Sequence, residues 1–484
     1  MNSIRNTMKL KKLIEGLNIK IAKGSKDIEI AGLSSNSKQV APGFLYIAIR
    51  GKTHDGNQYV GDAILAGASA ILSDLYNPFL EGVVQMITSD TKGLEAILAA
   101  RFYDNPHEKL FLVGITGTNG KTTTSYLVKH LLQDCGLIGG VESIIGEHRI
   151  KSDLTTPDCI TCYKLLKEMG SLKIPAAVME VSSHALSQNR VDGIFYDVAL
   201  FTNLTPEHLD YHADINSYAA EKAKLFRKLK KSGVAILNID NPWAEVMKSE
   251  NRVITYSTRQ EADFSAKEIR MELSGTKFIL SCFGKEVEIH LPLIGKFNVY
   301  NALAAIAVAY MRGIALTKIQ ERISNFQSVP GRMQAVACKE GSYVFVDFAH
   351  KTDALKNVLE TLYELKKGKI ITVFGCGGNR DREKRPEMAK VAENYSDIVI
   401  VTTDNPRKED PEEIIREIQK GFQKKIYLIE IDRRKAIEKG LSLLNKGDTL
   451  LIAGKGHETN QIFAERSIFF DDVRVAEELA NTVS

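Results

Sequence analysis

Residues 114–124 read GITGTNGKTTT and complete the apolar run LFLVGI that begins at Leu110. A strand that runs into a glycine-rich turn and then into a helix is the local arrangement that cradles nucleotide phosphates. Gly117 and Gly120 free backbone N–H groups to converge on phosphate oxygens, with Thr118 and Asn119 between them. Lys121 can bridge the terminal phosphates, and the Thr122 hydroxyl, followed by Thr123, can hold magnesium. The spacing departs from the standard phosphate loop, because Ile115 stands five places before Gly120 and the glycines fall at Gly114 and Gly117. The apolar face after it (Leu127, Val128, Leu131, Leu132) supplies the expected helix and argues against a chance Gly/Thr-rich turn. ATP is the expected cofactor.

Around this stretch the runs LFLVGI, AAVMEV, VALFTN and GVAILN alternate with amphipathic segments, which predicts a parallel sheet covered by helices. Residues 264–294 switch to period-two patterning (KFILSCF, KEVEIHLPL), the mark of hairpins. Upstream, FLYIAI and ASAILS are separated by the turn signals HDGN and YNP, predicting a small α/β domain. Downstream, YVFVDF, KIITVFG, DIVIVTTD, KIYLIEI and DTLLIAG predict a second open sheet of dinucleotide-fold type. With 484 residues and 44% apolar content, the expectation is an α/β protein of three domains, 1–107, 108–330 and 331–484.

Charge is nearly balanced, 64 basic against 60 acidic residues, which points to neither a nucleic-acid nor a membrane surface. The cluster Arg227, Lys228, Lys230, Lys231 reads as a solvated helix end. Six scattered cysteines and an N-terminus without signal-peptide form predict a reduced, cytoplasmic protein. Cys159 and Cys162 form a lone CxxC without a second ligand pair for zinc or a thioredoxin-like setting. The stretch Val299 to Met311 falls short of the ~20 apolar residues that span a bilayer.

Glu180 closes the strand AAVMEV, where ligand sites of open α/β sheets gather. The polar run TNLTPEHLDYHAD carries His208, Asp210 and His212. Glu180 and His208 are candidate ligands for a second magnesium, although histidine is a less usual partner for that ion. Lys222, in SYAAEKAKLF, reads by spacing alone as a solvent-facing lysine.

The ordered set GTNGKTT, TTP (155–157), EVSSHAL, NLTPEHLDYH, EKAKLF, GKFNVYNALAA, PGRM, DFAH, GCGGNRDREKRP, DNPR and GKGHE resembles the Mur ligases, relatives of the folylpolyglutamate synthetases, over nearly the whole chain. The resemblance implies an ADP-forming amide ligase that adds meso-diaminopimelate to UDP-N-acetylmuramoyl-L-Ala-D-Glu in peptidoglycan precursor synthesis, acting as a monomer. It implies that Lys222 is carbamylated by CO2, joining Glu180 and His208 around one magnesium while Thr122 and ATP phosphates hold another. A carbamate turns a cation into an anionic ligand, provided the amine is desolvated enough to be partly neutral.

By the same resemblance, Asn298 and Asn301 face adenine, Asp347 the ribose, and Arg332 an ATP phosphate after closure of the third domain. Arg407 would grip the far carboxylate of diaminopimelate through a planar paired contact, with Arg380, Asp404, Asn405, Pro406, Gly454 and Glu458 completing that site. Thr155, Thr156, Ser182, Gln188 and Arg190 match contacts to the muramoyl-dipeptide. Ser35 and Ser37 lie in a loop, SSNSKQVAPG, that resembles a uridine-binding one. His350 or His457 could orient the incoming amine, and the sequence assigns no general base.

Three departures stand out: NSK for the usual DSR, DFAHKTDAL for DYAHTPDAL, and Asn460 where tyrosine is usual. Competing readings are a lysine-adding or folate ligase, an NAD site at GCGGNRD, which has Arg380 where a third glycine belongs, and a P-loop ATP-binding protein without ligase chemistry.

Overall fold

The computed structural model describes residues 7–51, 54–208, 211–338, 341–424 and 427–482. The chain divides into two compact units, one of residues up to Lys121 with Leu132–Thr255, the other of Thr122–Leu131 with Tyr256 onward.

The first unit holds a five-stranded sheet, a two-stranded one of Met8–Lys9 and Glu29–Ile30, and the parallel strands of a larger sheet, with an apolar core that includes Leu45, Leu72, Phe102, Tyr163, Tyr196 and Phe226. The five-stranded sheet orders its strands Lys20–Lys23, Val84–Ile87, Ala70–Ser73, Phe44–Ile47 and Gly32–Ser34. All pairings are parallel except that of Lys20–Lys23 with Val84–Ile87. The predicted strands FLYIAI and ASAILS are both present. In the larger sheet Phe111–Thr116 lies between Ala176–Glu180 and Tyr196–Phe201, with Cys135–Ile138 and Leu229–Asn238 flanking that trio, all parallel. Strands buried on both faces explain the unbroken apolar runs that announced them. The register sets Glu180 opposite Ile115 and Phe201 opposite Thr116, so three strand ends converge where the phosphate loop leaves the sheet.

In the second unit, Phe264–Glu272, Gly275–Cys282 and Lys285–Leu291 form an antiparallel meander, as the period-two patterning required. The helix Lys296–Met311 is buried on nearly every side, which its Ala-rich sequence, charged only at Lys296, permits. A six-stranded sheet follows in the order Gln334–Val336, Tyr343–Asp347, Thr449–Ala453, Ile370–Phe374, Ile398–Val401, Leu428–Ile429, antiparallel only at its first strand. Strand order reverses between Ile370–Phe374 and Thr449–Ala453, and a crevice at such a point is where open α/β sheets bind ligands. The loops GCGGNRD and GKGHE both leave the sheet there.

No helix among the described residues is long and apolar enough to cross a membrane. Cys159 and Cys162 are buried inside the first unit, and burial pushes both thiols far above their ordinary range, so neither is a reactive redox group.

Candidate active site

The phosphate loop turns on two glycines whose backbone other residues adopt only under strain. Gly117 sits at φ 150° and a Cβ there would lie 1.9 Å from Thr202 Oγ1, while Gly120 sits at φ 85° before the helix Lys121–Leu132. The neighbouring strand end locks the turn. Thr118 N–H donates to Asn203 O at 2.8 Å, Asn119 N–H to Asn203 Oδ1 at 2.9 Å, and Thr202 Oγ1 to Asn119 O at 2.7 Å. Thr118 Oγ1 also lies 3.3 Å from Tyr218 Oη. Thr202, Asn203 and Tyr218 escaped the sequence reading, although the end of VALFTN was the place to look.

Two lysines converge on one carbonyl. Lys121 Nζ donates to Gly117 O at 2.8 Å and Thr118 O at 2.9 Å, and Lys222 Nζ to Gly117 O at 2.9 Å. Lys222 is only 1% exposed, on the helix Ile215–Ala223, with its amine 4.4 Å from the centre of the Tyr218 ring. Burial, reinforced by Lys121, drives its pKa well below the ordinary lysine value. The solvent-facing reading of this lysine is therefore wrong: the helix turns it inward.

Glu180 is buried at its strand end and accepts from Gly140 N–H at 3.1 Å. His208, at φ 58°, has its ring 4.9 Å from that of His184 and 6.2 Å from that of Tyr218. His212 Nε2 lies 3.0 Å from Ser183 Oγ, and Asp210 is outside the described residues. Among the described residues no three His, Cys, Asp or Glu side chains form a cage for a metal ion. Lys222, expected as the third member of the magnesium set, presents a buried amine of lowered basicity, the kind of amine that can take up CO2.

The expected dipeptide contacts form one cluster. Thr156 Oγ1 donates to Glu180 O at 2.9 Å and meets Ser182 Oγ at 3.3 Å; Ser182 caps the helix Ser183–Ser187. Arg190 donates to Thr156 O at 2.8 Å and to Gln188 Oε1 at 2.6 Å, and Gln188 reaches Tyr211 Oη at 3.4 Å. Thr155 lies beside Gly140. Ser35, in the first sheet's loop, hydrogen-bonds Glu95, and Ser37 opens a short helix capped by Asn36.

In the second unit, Asn301 Oδ1 accepts from Thr124 Oγ1 at 3.3 Å, tying the expected adenine side to the helix that follows the phosphate loop. Asn298 Nδ2 donates to Ile294 O at 2.8 Å and its Oδ1 accepts from Asn301 at 3.0 Å. Asp347 Oδ2 accepts from Met333 N–H at 2.7 Å, and burial raises its pKa against the pull of Arg332. The Arg332 guanidinium lies 5.1 Å from the Phe348 ring centre, and its buried Nε has no hydrogen-bond partner among the described residues. Such an orphan cationic donor fits an anionic ligand. Phe348 is flanked by the rings of His350 at 4.5 Å and His457 at 4.8 Å.

At the sheet's reversal point, Asn405 Nδ2 donates to Glu458 Oε2 at 2.6 Å and Asn405 Oδ1 accepts from Lys455 Nζ at 3.3 Å. Lys455 is fully buried and was not singled out from the sequence, although it stands inside GKGHE. Asp404 is buried beside Gly454, where a Cβ would fall 2.6 Å from Asp404 Oδ2. Pro406 is buried, and Arg407, half-buried at φ 55°, donates through Nη1 to Gly378 O at 2.9 Å. Arg380 is exposed, donating at 3.4 Å to Asn379 O.

Three family descriptions match in succession: the Mur ligase family catalytic domain over residues 29–103, the Mur ligase middle domain over 115–309, and the Mur ligase glutamate ligase domain over 331–456. A UDP-N-acetylmuramoyl-L-alanyl-D-glutamate–2,6-diaminopimelate ligase of Chlamydia caviae is 44% identical, covering 98% of this chain and 100% of the relative. One of the same name from Caldanaerobacter subterraneus is 42% identical over 98% of this chain and 99% of its own. A solved structure with that name superposes at a TM-score of 0.71, with 30% identity over 98% of this chain and 99% of the other. With phosphate loop, strand ends and reversal-point loops all falling inside the matched segments, the chain belongs to the Mur ligase family.

Proposed function

We propose that this chain is an ATP-dependent, ADP-forming ligase that joins meso-diaminopimelate to the D-glutamyl γ-carboxylate of UDP-N-acetylmuramoyl-L-Ala-D-Glu, as a cytoplasmic monomer in peptidoglycan precursor synthesis. One observation carries the choice of acceptor: the Arg407 guanidinium and the Glu458 carboxylate stand on loops tied together through Asn405 at the reversal point. A cation and an anion held there suit an amino acid's carboxylate and ammonium, and a site built around such polar contacts can reject a substrate lacking one by ~10⁴-fold. L-Lysine has no second carboxylate.

In this reading residues 1–107 bind the UDP portion through Ser35 and Ser37, residues 108–330 bind ATP, and residues 331–484 bind the amino acid. The helix start after Gly120 receives the phosphates, with Lys121 as counter-charge. Asn298 and Asn301 meet adenine, Asp347 the ribose, and Arg332 a phosphate. The γ-carboxylate attacks the γ-phosphorus of ATP and expels ADP; the amine of diaminopimelate then attacks the acyl carbon, expels phosphate and loses a proton. Thr155, Thr156, Ser182, Gln188 and Arg190 hold the carboxylate-bearing substrate. Arg380, Asp404, Asn405, Pro406, Arg407, Gly454 and Glu458 hold the amine.

Glu180, His208 and a carbamylated Lys222 would hold one magnesium ion, and Thr122 with the ATP phosphates a second. Magnesium supplies positive charge against the negative charge that builds during transfer. The deciding experiment is phosphate release from ATP with UDP-N-acetylmuramoyl-L-Ala-D-Glu, comparing meso-diaminopimelate with L-lysine. Release with diaminopimelate alone is expected; release with lysine overturns the role of Arg407, and none with either overturns the ligase.

A further inference from the structure

We infer that Glu409 is a positioning residue for the acceptor amino acid: its carboxylate fixes the Gly378–Asn379 peptide, and the carbonyl of that peptide aims the Arg407 guanidinium. The inference rests on the ligase reading above and extends it to a residue that does not touch substrate.

The chain of contacts is short. Glu409 Oε1 accepts the backbone N–H of Asn379. A trans peptide is planar, with its N–H and C=O pointing opposite ways, so pinning the N–H directs the carbonyl to the other side. There Gly378 O accepts Arg407 Nη1 at 2.9 Å. The two loops are sewn together elsewhere too: Gly378 N–H donates to Asn405 O at 2.9 Å, Lys408 N–H to Asn379 Oδ1 at 3.0 Å, and Glu409 N–H to Pro406 O at 3.0 Å. A Cβ on Gly378 would stand 1.9 Å from Pro406 O, so no side chain fits between them.

Asn379 at φ 52° and Arg407 at φ 55° are both left-handed. Non-glycine residues keep such a backbone only where their surroundings hold it. Glu409 supports Asn379 through its N–H, and Arg407 N–H is held by Ile462 O at 2.9 Å. The Glu409 carboxylate also accepts from Arg385 Nη1 at 3.0 Å, Arg385 Nη2 at 3.2 Å and Arg382 Nη2 at 3.1 Å. Arg385 is fully buried, shares Nη1 with Glu417 at 2.6 Å and donates through Nη2 to Gly377 O at 3.2 Å. The arginines push the Glu409 pKa down to about 2, keeping it an acceptor at any working pH. With Nη1 committed to the carbonyls of Gly378 and Asn405, Arg407 keeps Nε and Nη2, without protein partners among the described residues, for a paired carboxylate contact.

The test compares Glu409→Gln, Glu417→Gln and Asn379→Gly in the full chain by diaminopimelate-dependent phosphate release. Glu409→Gln should raise the KM for diaminopimelate by about tenfold, the scale of one lost charged hydrogen bond, with kcat and the KM for ATP within about twofold. Asn379→Gly keeps the left-handed backbone but drops the tie to Lys408, and should raise the same KM without touching the Arg385 charge cluster. If Glu409→Gln does not fold, Glu409→Asp, which keeps a carboxylate near Arg385 but shortens its reach to the Asn379 N–H, decides the question by the same KM. Glu417→Gln removes the other anion on Arg385, on the helix Pro411–Gln419, and should lower the melting temperature while leaving that KM alone. Unchanged KM in both loop variants, or an equal rise in Glu417→Gln, overturns the inference while leaving the ligase intact. Wild-type phosphate release indifferent to diaminopimelate overturns both.

Discussion

Lys222 Nζ donates to the carbonyl of Gly117 at 2.9 Å, so a lysine from a distant helix ends inside the glycine turn that precedes Lys121. Lys121 shares that carbonyl at 2.8 Å, and each of the two like charges disfavours the other. Burial lowers the Lys222 pKa well below the ordinary lysine value. In its neutral form the amine would attack CO2, losing a proton and leaving the proposed carbamate. Lys222→Met should fold, since it replaces a buried amine with an apolar chain of similar length, yet turnover should fall by about 10²-fold or more. Lys222→Arg should be equally inactive, because an arginine stays cationic. Intact mass of the native protein in bicarbonate reports the adduct; wild-type turnover by Lys222→Met would end the proposal.

Gly117→Ala offers a separate test of the cradle. The added Cβ would meet Thr202 Oγ1 at 1.9 Å, with Asn203 O at 3.0 Å just beyond. Removing the hydroxyl in a Gly117→Ala/Thr202→Ala double variant relieves the nearer clash but not the backbone conformation. The single variant should lose about 1–3 kcal/mol of stability and most ATP binding, and the double should recover part of the stability. Chemical denaturation and a fluorescent-nucleotide titration separate the two effects.

Much of this site was legible because it rests on backbone rules that leave marks in the sequence. Apolar runs announced strands buried on both faces, and glycines at 117 and 120 announced a turn that both need at positive φ. The meander at 264–291 was legible from period two alone. What stayed hidden were long-range side-chain partners. Nothing local distinguishes Lys222 from a surface lysine, because its burial is decided by where its helix packs against the Gly117 turn. Lys455, Glu409 and Arg385 were hidden likewise, being charged residues in charged stretches whose partners lie up to 50 positions away. The resemblance to a family supplied Lys222, and geometry supplied the others.

Glu95 gives the first unit a pH signature. Burial raises its carboxyl pKa to about 7, against the opposing hydrogen bond from Ser35. Because the folded value lies above that of an unfolded glutamate, near 4.3, the folded state binds more protons in between, and stability falls as pH rises from about 4.5 to about 7. Glu95→Gln removes that titration. Its melting temperature should gain on the wild type as pH rises through this window and level off above it. A constant difference across the range would place the charged carboxylate in a solvated setting instead.

The second unit has its own test in two ion pairs that look alike in a list of distances. Arg433 and Asp472 are both fully buried and meet twice, at 2.8 Å and 2.6 Å, with Arg433 also reaching Ala453 O at 3.1 Å, one residue before Gly454. Arg434 and Glu478 meet at 3.1 Å in largely exposed positions. Removing one partner of a buried pair leaves the other charge desolvated, whereas solvent screens the exposed pair. Asp472→Asn should therefore cost about 3–5 kcal/mol, and Glu478→Gln less than about 1 kcal/mol. Because Arg433 braces the strand end that carries the GKGHE loop, Asp472→Asn should also weaken diaminopimelate binding at temperatures where the protein is still folded. Titration calorimetry below the melting transition reads this directly, and unaltered affinity there would confine the pair to a structural role.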